Sequence, residues 1–524
     1  MPVSVPVQAQ QLSPASQGSL IIDPQQGATP RPLPPLPGSS ETARVSVAPM
    51  PGTMVVRPVT APYGPPAPMH GTPLSPVWAQ SIPGGLPAPS NDPLHIDAAT
   101  DPLLQLANTQ SPLGAFQKVI GEAIARNPSL DEASAQTDEA KGARGEARSR
   151  MLPVANLSLS TFQIIDRAFS NDPDNVLERS RPSHRTDALV RIQQPLIDFG
   201  ASRSRIRSSE ARLSAARIGI EDVATQITLQ AVSAWCTVYG YRVLVQLGEA
   251  FATSQRSLRE SIEERIRQGV AATGDVAQVD SYIASSDAQL SDFRRQLAGA
   301  EAQYAAAIGQ PAPERLGRVP VPALDGITAT TLTSDMDKLP AIRAAKLAVD
   351  AAQLDARALK SDQLPQLSAG IDAGRYGVIE TTRDYDIRGS LTLGVQLGGG
   401  GPQRVDQAEA RASGADARLR RIRVEALRDA QIALADVAAL KKTQAAIKDN
   451  YLASRRARDV LAERFRVSRG TLFDLLAAQS NYFGIAARYV QVVIELDAAR
   501  YALLARTGRL LPVLGIEHAG LESR

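Results

Sequence analysis

The chain has 524 residues with 57 basic and 54 acidic side chains, a net charge of +3 that gives no global electrostatic case for a nucleic-acid partner. No run of about 18 or more apolar residues occurs, which excludes a polytopic helical membrane protein. Its one cysteine, Cys236, excludes an intramolecular disulfide, and the scattered His70, His95, His184 and His518 lack metal-ligand spacing. Glu263, Glu264 and Glu463 read as solvated helix charges rather than acid–base groups. Neither an enzyme nor a cofactor or metal site is therefore expected.

Residues 1–112 hold 24 of the 37 prolines and no lysine, and runs such as Pro32-Leu33-Pro34-Pro35-Leu36-Pro37 favour extended, solvated backbone. This segment is expected to be disordered. No secretory signal is visible, because the first basic residue is Arg31 and no apolar stretch follows Met1.

From residue 113 the chain is rich in Ala, Arg and Gln and is duplicated. The pairs Pro128/Pro153 and Pro340/Pro365 share one spacing, and each later proline stands in a Leu-Pro pair (Leu152-Pro153, Leu364-Pro365). Gly200 and Arg203 correspond to Gly401 and Arg404. A slightly shorter offset then maps Ile220, Val223, Ile227, Ala231, Ala234 and Val238 onto Leu419, Ile422, Ala426, Ala430, Ala433 and Val437. It also maps Glu264-Arg265 onto Glu463-Arg464, Asp275 onto Asp474 and Gly309 onto Gly508. The expected organisation is a first repeat over 113–325, a second over 326–515 and a tail over 516–524.

Each repeat is expected to run helix, two strands, two long helices. The first helices cover about 113–150 and 338–362. In the second repeat Leu367, Ala369, Ile371 and Ala373 alternate with Ser368, Gly370, Asp372 and Gly374. The partner strand sets Tyr385, Ile387, Gly389, Leu391, Leu393, Val395 and Leu397 against polar neighbours that include Thr392. The first repeat shows the same pattern less cleanly at Leu157, Leu159, Ala188, Val190 and Ile192. Period two with one apolar face means one face in oil and one in water. Helices over roughly 203–267 and 404–467 would span on the order of 100 Å. Their 3-4-4-3-4 apolar spacing forms a helix-packing seam.

Four such strands bury two opposing sheet faces poorly. The pattern fits a barrel with lipid outside and water inside, and open edges in lipid require other copies to close it. The alternative is a soluble coiled-coil structural protein carrying a small sandwich.

In residues 113–515 the chain resembles the TolC-like outer-membrane factors. The resemblance rests on Asn127-Pro128-Ser129-Leu130, Leu152-Pro153, the stretch Gln194–Gly200, Gln268-Gly269-Val270, Gly274-Asp275-Val276 and the stretch Arg469–Gln479. Each motif alone is weak, but their doubled order is specific. The resemblance implies an α+β membrane protein: a homotrimer with a 12-stranded outer-membrane β-barrel, periplasmic helical hairpins and outer-membrane lipid around the strands. It implies a passive exit duct working with a periplasmic adaptor (membrane fusion) protein and an inner-membrane ABC or proton-driven transporter.

Residues Ala499–Leu510 are similar to members that serve type I protein secretion, with drug efflux as the alternative cargo class. By the same resemblance, Asp474 and Asp275 belong at the periplasmic aperture. Ala477 stands where a second aspartate often sits, so a single acidic ring is expected. Gln268, Gly269, Val270, Ser468, Arg469 and Gly470 are the candidate adaptor-docking turns, although the glycines could serve only to permit tight turns. The alternative for Asp474 is that it only caps the returning helix. Leu391, Leu393 and Val395 are the expected lipid-facing positions.

Overall fold

The computed structural model describes residues 86–516 apart from Ala88, Asn91, Leu94, 107–108, 171–172, 177–179, Val270 and Thr382. The expectation of disorder over 1–85 lies outside the described residues. For the rest of the 1–112 segment the structure corrects it. A short helix α1 (Pro102–Leu106) buries Leu103 and Leu104 against the body, and the Asp101 carboxylate that caps it is fully buried. Proline density alone misses this, because Asp101-Pro102 is a helix-start pair rather than a breaker.

Two matched halves follow. Helix α2 (Leu113–Arg126) precedes α3 (Pro128–Ser149), and the second half opens with α6 (Ala329–Asp335) and α7 (Pro340–Ser361). Helices α3 and α7 have 22 residues each and start on proline, whose missing N–H costs nothing in a first turn. They lead into β1 (Val154–Gln163) and β3 (Gln366–Arg375), which pair with β2 (His184–Ile197) and β4 (Tyr385–Gly394).

The long helices are α4 (Ala201–Arg267) and α8 (Gly401–Arg466), and α5 (Thr273–Ile308) and α9 (Leu472–Arg506) return beside them. A last turn, α10 (Leu510–Val513), closes the described chain.

Helix starts correct the sequence alignment. Gly200 and Gly400, not Gly401, are the equivalent caps, both left-handed with φ of 88° and 74°. Helix α4 has 67 residues and α8 has 66, so one residue is lost inside the second long helix. That loss shifts the correspondence by one between the helix start and its seam.

Near the strands the helices lie in the order α3, α4, α7, α8, and in the far half α5, α4, α9, α8. Helix α4 is central and buries Leu213, Ile220, Ala224, Ile227, Ala231 and Val238 along its length. Helix α8 is peripheral and leaves Val424 and Ile432 exposed. Cys236 sits in the core beside Trp235, where burial pushes its thiol well above the usual range and leaves it inert. Among the described residues no helix is long and apolar enough to cross a membrane, which says nothing about strands.

All four strands form one antiparallel sheet in the order β1-β2-β3-β4. Directly paired residues share a face, so the register reads out both faces. One carries the rows Leu157–Val190–Ala373–Ile387 and Ala155–Ile192–Ile371–Gly389 and the pair Leu367–Leu393. The other carries Asn156–Arg191–Asp372–Arg388 and Ser368–Thr392, with Arg191 Nε 2.6 Å from Asp372 Oδ1. The expected alternation holds through Leu393. Strand β4 stops at Gly394, however, so Val395 and Leu397 lie beyond it. Gly394 pairs with Gln366, the first residue of β3, and Pro365 before that has no N–H to extend the ladder.

Candidate functional site: the helical tips and the strand sheet

The tips of the two long hairpins lie side by side. Arg265 places its guanidinium 4.5 Å from the centre of the Phe465 ring and donates from Nη2 to the Phe465 carbonyl at 3.3 Å. Beneath them Leu258, Ile262, Val279, Leu472, Leu475 and Leu476 form an apolar cluster. Buried Gln255 and Gln479 join through Nε2 and Oε1 at 3.0 Å.

Each tip ends its first helix on a left-handed residue. Gly269 has φ of 74° and donates to the Ile266 carbonyl. Ser468, its counterpart, has φ of 57°. The Ser468 and Arg469 N–H groups bond back to the Phe465 and Arg464 carbonyls, a Schellman closure of α8.

Gly470 serves differently. A Cβ there would lie 3.1 Å from both Arg464 Cβ and the Phe465 nitrogen, so the absent side chain permits close backbone approach. Gln268 donates to Glu264 at 2.8 Å, and Arg469 is exposed. Val270 lies outside the described residues.

Both aspartates occupy the third position of a returning helix. The Asp275 carboxylate accepts from the Ala272 N–H at 3.1 Å. The Asp474 carboxylate accepts from Thr471 Oγ1 at 2.7 Å, and Thr471 Oγ1 in turn accepts from the Asp474 N–H at 3.1 Å. Negative charge in a first helical turn is favourable, so both stabilise their helix starts. Asp474 and neighbouring Phe473 are exposed, and Ala477 is half-buried on the same helix.

Two buried polar clusters brace the body, and neither follows from the sequence pattern. Asp497 is paired with Arg318 (Nη2 to Oδ1, 2.7 Å) and Arg500 (3.0 Å), which fastens the 309–328 connection to α9. In the second, Asp101 accepts from Tyr451 Oη at 2.9 Å and from Arg455 at 2.7 Å. Nearby Arg458 donates to the Pro87 carbonyl at 3.0 Å, and the Ser90 N–H donates to Asp459 at 3.2 Å. Burial raises the Tyr451 hydroxyl and the Asp459 carboxyl above their ordinary values. The Asp101-Pro102 pair is the one sequence signal that points to this strap.

Among the described residues nothing covers the sheet. Leu157, Ile387, Leu391 and Leu393 are each about 70% exposed or more, at 78%, 68%, 72% and 70%. Strands β1 and β4 leave unpaired edges. An apolar face, a charged face and two open edges define a segment of a membrane-spanning barrel completed by further copies.

A partial barrel joined to helices of about 100 Å has the form of a conduit. The family model for the outer membrane efflux protein matches residues 119–310 and 337–509. The chain belongs to that family, an outer-membrane channel with its helical part in the periplasm, and the soluble coiled-coil alternative falls.

Outer membrane efflux protein BepC of Brucella suis biovar 1 (strain 1330) is 27% identical over 342 residues, covering 62% of this chain and 73% of that protein. The outer membrane protein VceC of Vibrio cholerae aligns with a TM-score of 0.64 at 19% identity, covering 79% of this chain and 98% of the other. The CmeC outer membrane channel of Campylobacter jejuni gives 0.66 at 16% identity, covering 77% and 87%.

Proposed function

We propose that this chain acts as a homotrimer forming the exit duct of a tripartite export system, fed by a periplasmic adaptor and an inner-membrane transporter. The observation that carries the trimer is the sheet, whose two open edges and exposed apolar face have no partner within the described chain. Three copies of the four strands make a 12-stranded barrel. Leu391 and Leu393 then face lipid, with Val395 just beyond the strand end. Peripheral α8, with exposed Val424 and Ile432, supplies an apolar surface for the neighbouring copy.

Small-molecule efflux is the cargo class we favour, since BepC bears the name of an efflux protein. The second reading, type I protein secretion, stands on the stretch Ala499–Leu510. There Tyr501, Leu503, Leu504 and Leu510 are core residues and Arg500 pairs with Asp497, so packing alone accounts for much of that stretch.

In this proposal Gln268, Gly269, Val270, Ser468, Arg469 and Gly470 form the surface that meets the adaptor, and Asp474 with Asp275 lines the periplasmic aperture. The test has two parts. The protein purified in detergent is sized and inserted into planar bilayers, where a trimer that conducts is expected. A strain lacking the chain is then compared with its parent for tolerance of small toxic compounds and for its secreted proteins. Lost secretion with unchanged tolerance would overturn efflux in favour of type I secretion.

A further inference from the structure

The strand hairpins point away from the helices, so their connections mark the outer mouth of the barrel. On the polar face at that end, Phe162 pairs directly with Arg185, and Tyr376 follows Asp372 and Gly374 with period two. The Arg185 guanidinium carbon lies 5.7 Å from the Phe162 ring centre and 5.2 Å from that of Tyr376. The Tyr376 ring covers Gly374, where an added Cβ would come within 3.0 Å of it. An aromatic–arginine–aromatic row thus runs from β1 across β2 to the residue just after β3, on the water side.

That row is braced. Asp187, 7% exposed, accepts from Arg185 Nη2 at 2.8 Å and from the Gly377 N–H at 3.2 Å. The Glu380 carboxylate accepts from the Thr186 N–H and hydroxyl, both at 3.1 Å, and the Val378 N–H donates to the Thr186 carbonyl at 2.7 Å. The start of the β3–β4 connection is therefore pinned along β2 instead of standing free of the rim. Large, rotamer-poor rings held against one guanidinium, itself fixed by Asp187, make a stiff edge.

We propose that Phe162, Arg185 and Tyr376, repeated once per chain around the outer mouth, form a fixed exit constriction that selects cargo by cross-section. The proposal rests on the trimeric-barrel reading above. The row narrows the lumen where the helical tips cannot, so the duct has a size limit at each end.

The test sizes the two mouths separately, with graded polyethylene glycols added to one side of a planar bilayer holding the full-length trimer. In a Phe162→Ala/Tyr376→Ala double variant, larger polymers are expected to enter from the extracellular side, while the cut-off from the periplasmic side stays unchanged. A second variant, Arg185→Gln, checks the bracing and is expected to shift the outer cut-off in the same direction. An outer cut-off identical to wild type in both variants would overturn the constriction and leave the channel reading standing. Absence of any pore in the wild-type protein would overturn both.

Discussion

The Asp101 carboxylate and the Tyr451 hydroxyl meet at 2.9 Å although 350 positions separate them in the chain. Asp101 is fully buried, and Arg455, only 12% exposed, is its charged partner. Tyr451 also joins the Tyr482 hydroxyl at 2.9 Å, so the strap before α2 completes a polar network set between α8 and α9. Removing one partner of a buried charge pair costs about 3–5 kcal/mol, because the other is left uncompensated.

Asp101→Ala should accordingly lower the melting temperature markedly and open the strap to chymotrypsin at Leu103 and Leu104. His95→Ala, at a side chain 83% exposed, should be within about 1 kcal/mol of wild type. Deleting 1–85 keeps every contact described here, whereas deleting through residue 106 should behave like Asp101→Ala or worse. Equal stability of the two truncations would show that the strap contributes nothing.

The strap shows where sequence reasoning stops. Period-two alternation and the doubled offsets were legible because they recur over many residues, and they place the strands, the long helices and both tips. The Asp101–Tyr451 and Arg318–Asp497 pairs were not, since each joins residues more than 170 positions apart and no periodicity links them. The true end of β4 was hidden for a related reason. Leu391, Leu393, Val395 and Leu397 alternate without a break, and only the register against Gln366 stops the strand at Gly394. At the tips, glycine suggested a single role. The structure separates a left-handed position, Gly269 or Ser468, from a close-approach position, Gly470.

Leu393 and Thr392 test the two faces of the sheet. They are neighbours on β4, paired with Leu367 and Ser368 on opposite faces. Leu393→Lys should cost about 2–4 kcal/mol at mid-membrane depth and less near an interface, and Thr392→Lys should be mild. Yield of heat-resistant trimer from membranes measures the difference. Equal tolerance would mean both faces see water.

The tip glycine and serine should respond in opposite directions. Gly470→Ala pushes a methyl group against Arg464 and the Phe465 backbone and should destabilise by about 1–3 kcal/mol. Ser468→Gly relieves a left-handed residue and should stabilise by up to about 1 kcal/mol after the extra freedom of the unfolded chain is counted. Arg469→Glu changes only exposed charge, so lost export with an unchanged melting temperature would support the docking role. Wild-type export in that variant would remove Arg469 from it.

Asp474 carries the last prediction, because its cap and its position do not exclude each other. Its carboxylate accepts from the Thr471 hydroxyl at 2.7 Å while remaining exposed at the tip. Thr471, not Asp474, caps the helix through the Asp474 N–H, so an amide at position 474 keeps the cap and one acceptor oxygen. In a trimer three such carboxylates gather around one axis, and a narrow acidic ring draws cations and holds multivalent ones. With Ala477 one turn further on, no second ring reinforces it. Asp474→Asn should therefore retain the wild-type melting temperature within about 1 kcal/mol, the usual loss on weakening a helix-start contact. In planar bilayers the same variant should lose most of its cation preference and its block by multivalent cations added on the periplasmic side. If selectivity and block both persist unchanged, Asp474 is a helix-start residue and the aperture lies elsewhere.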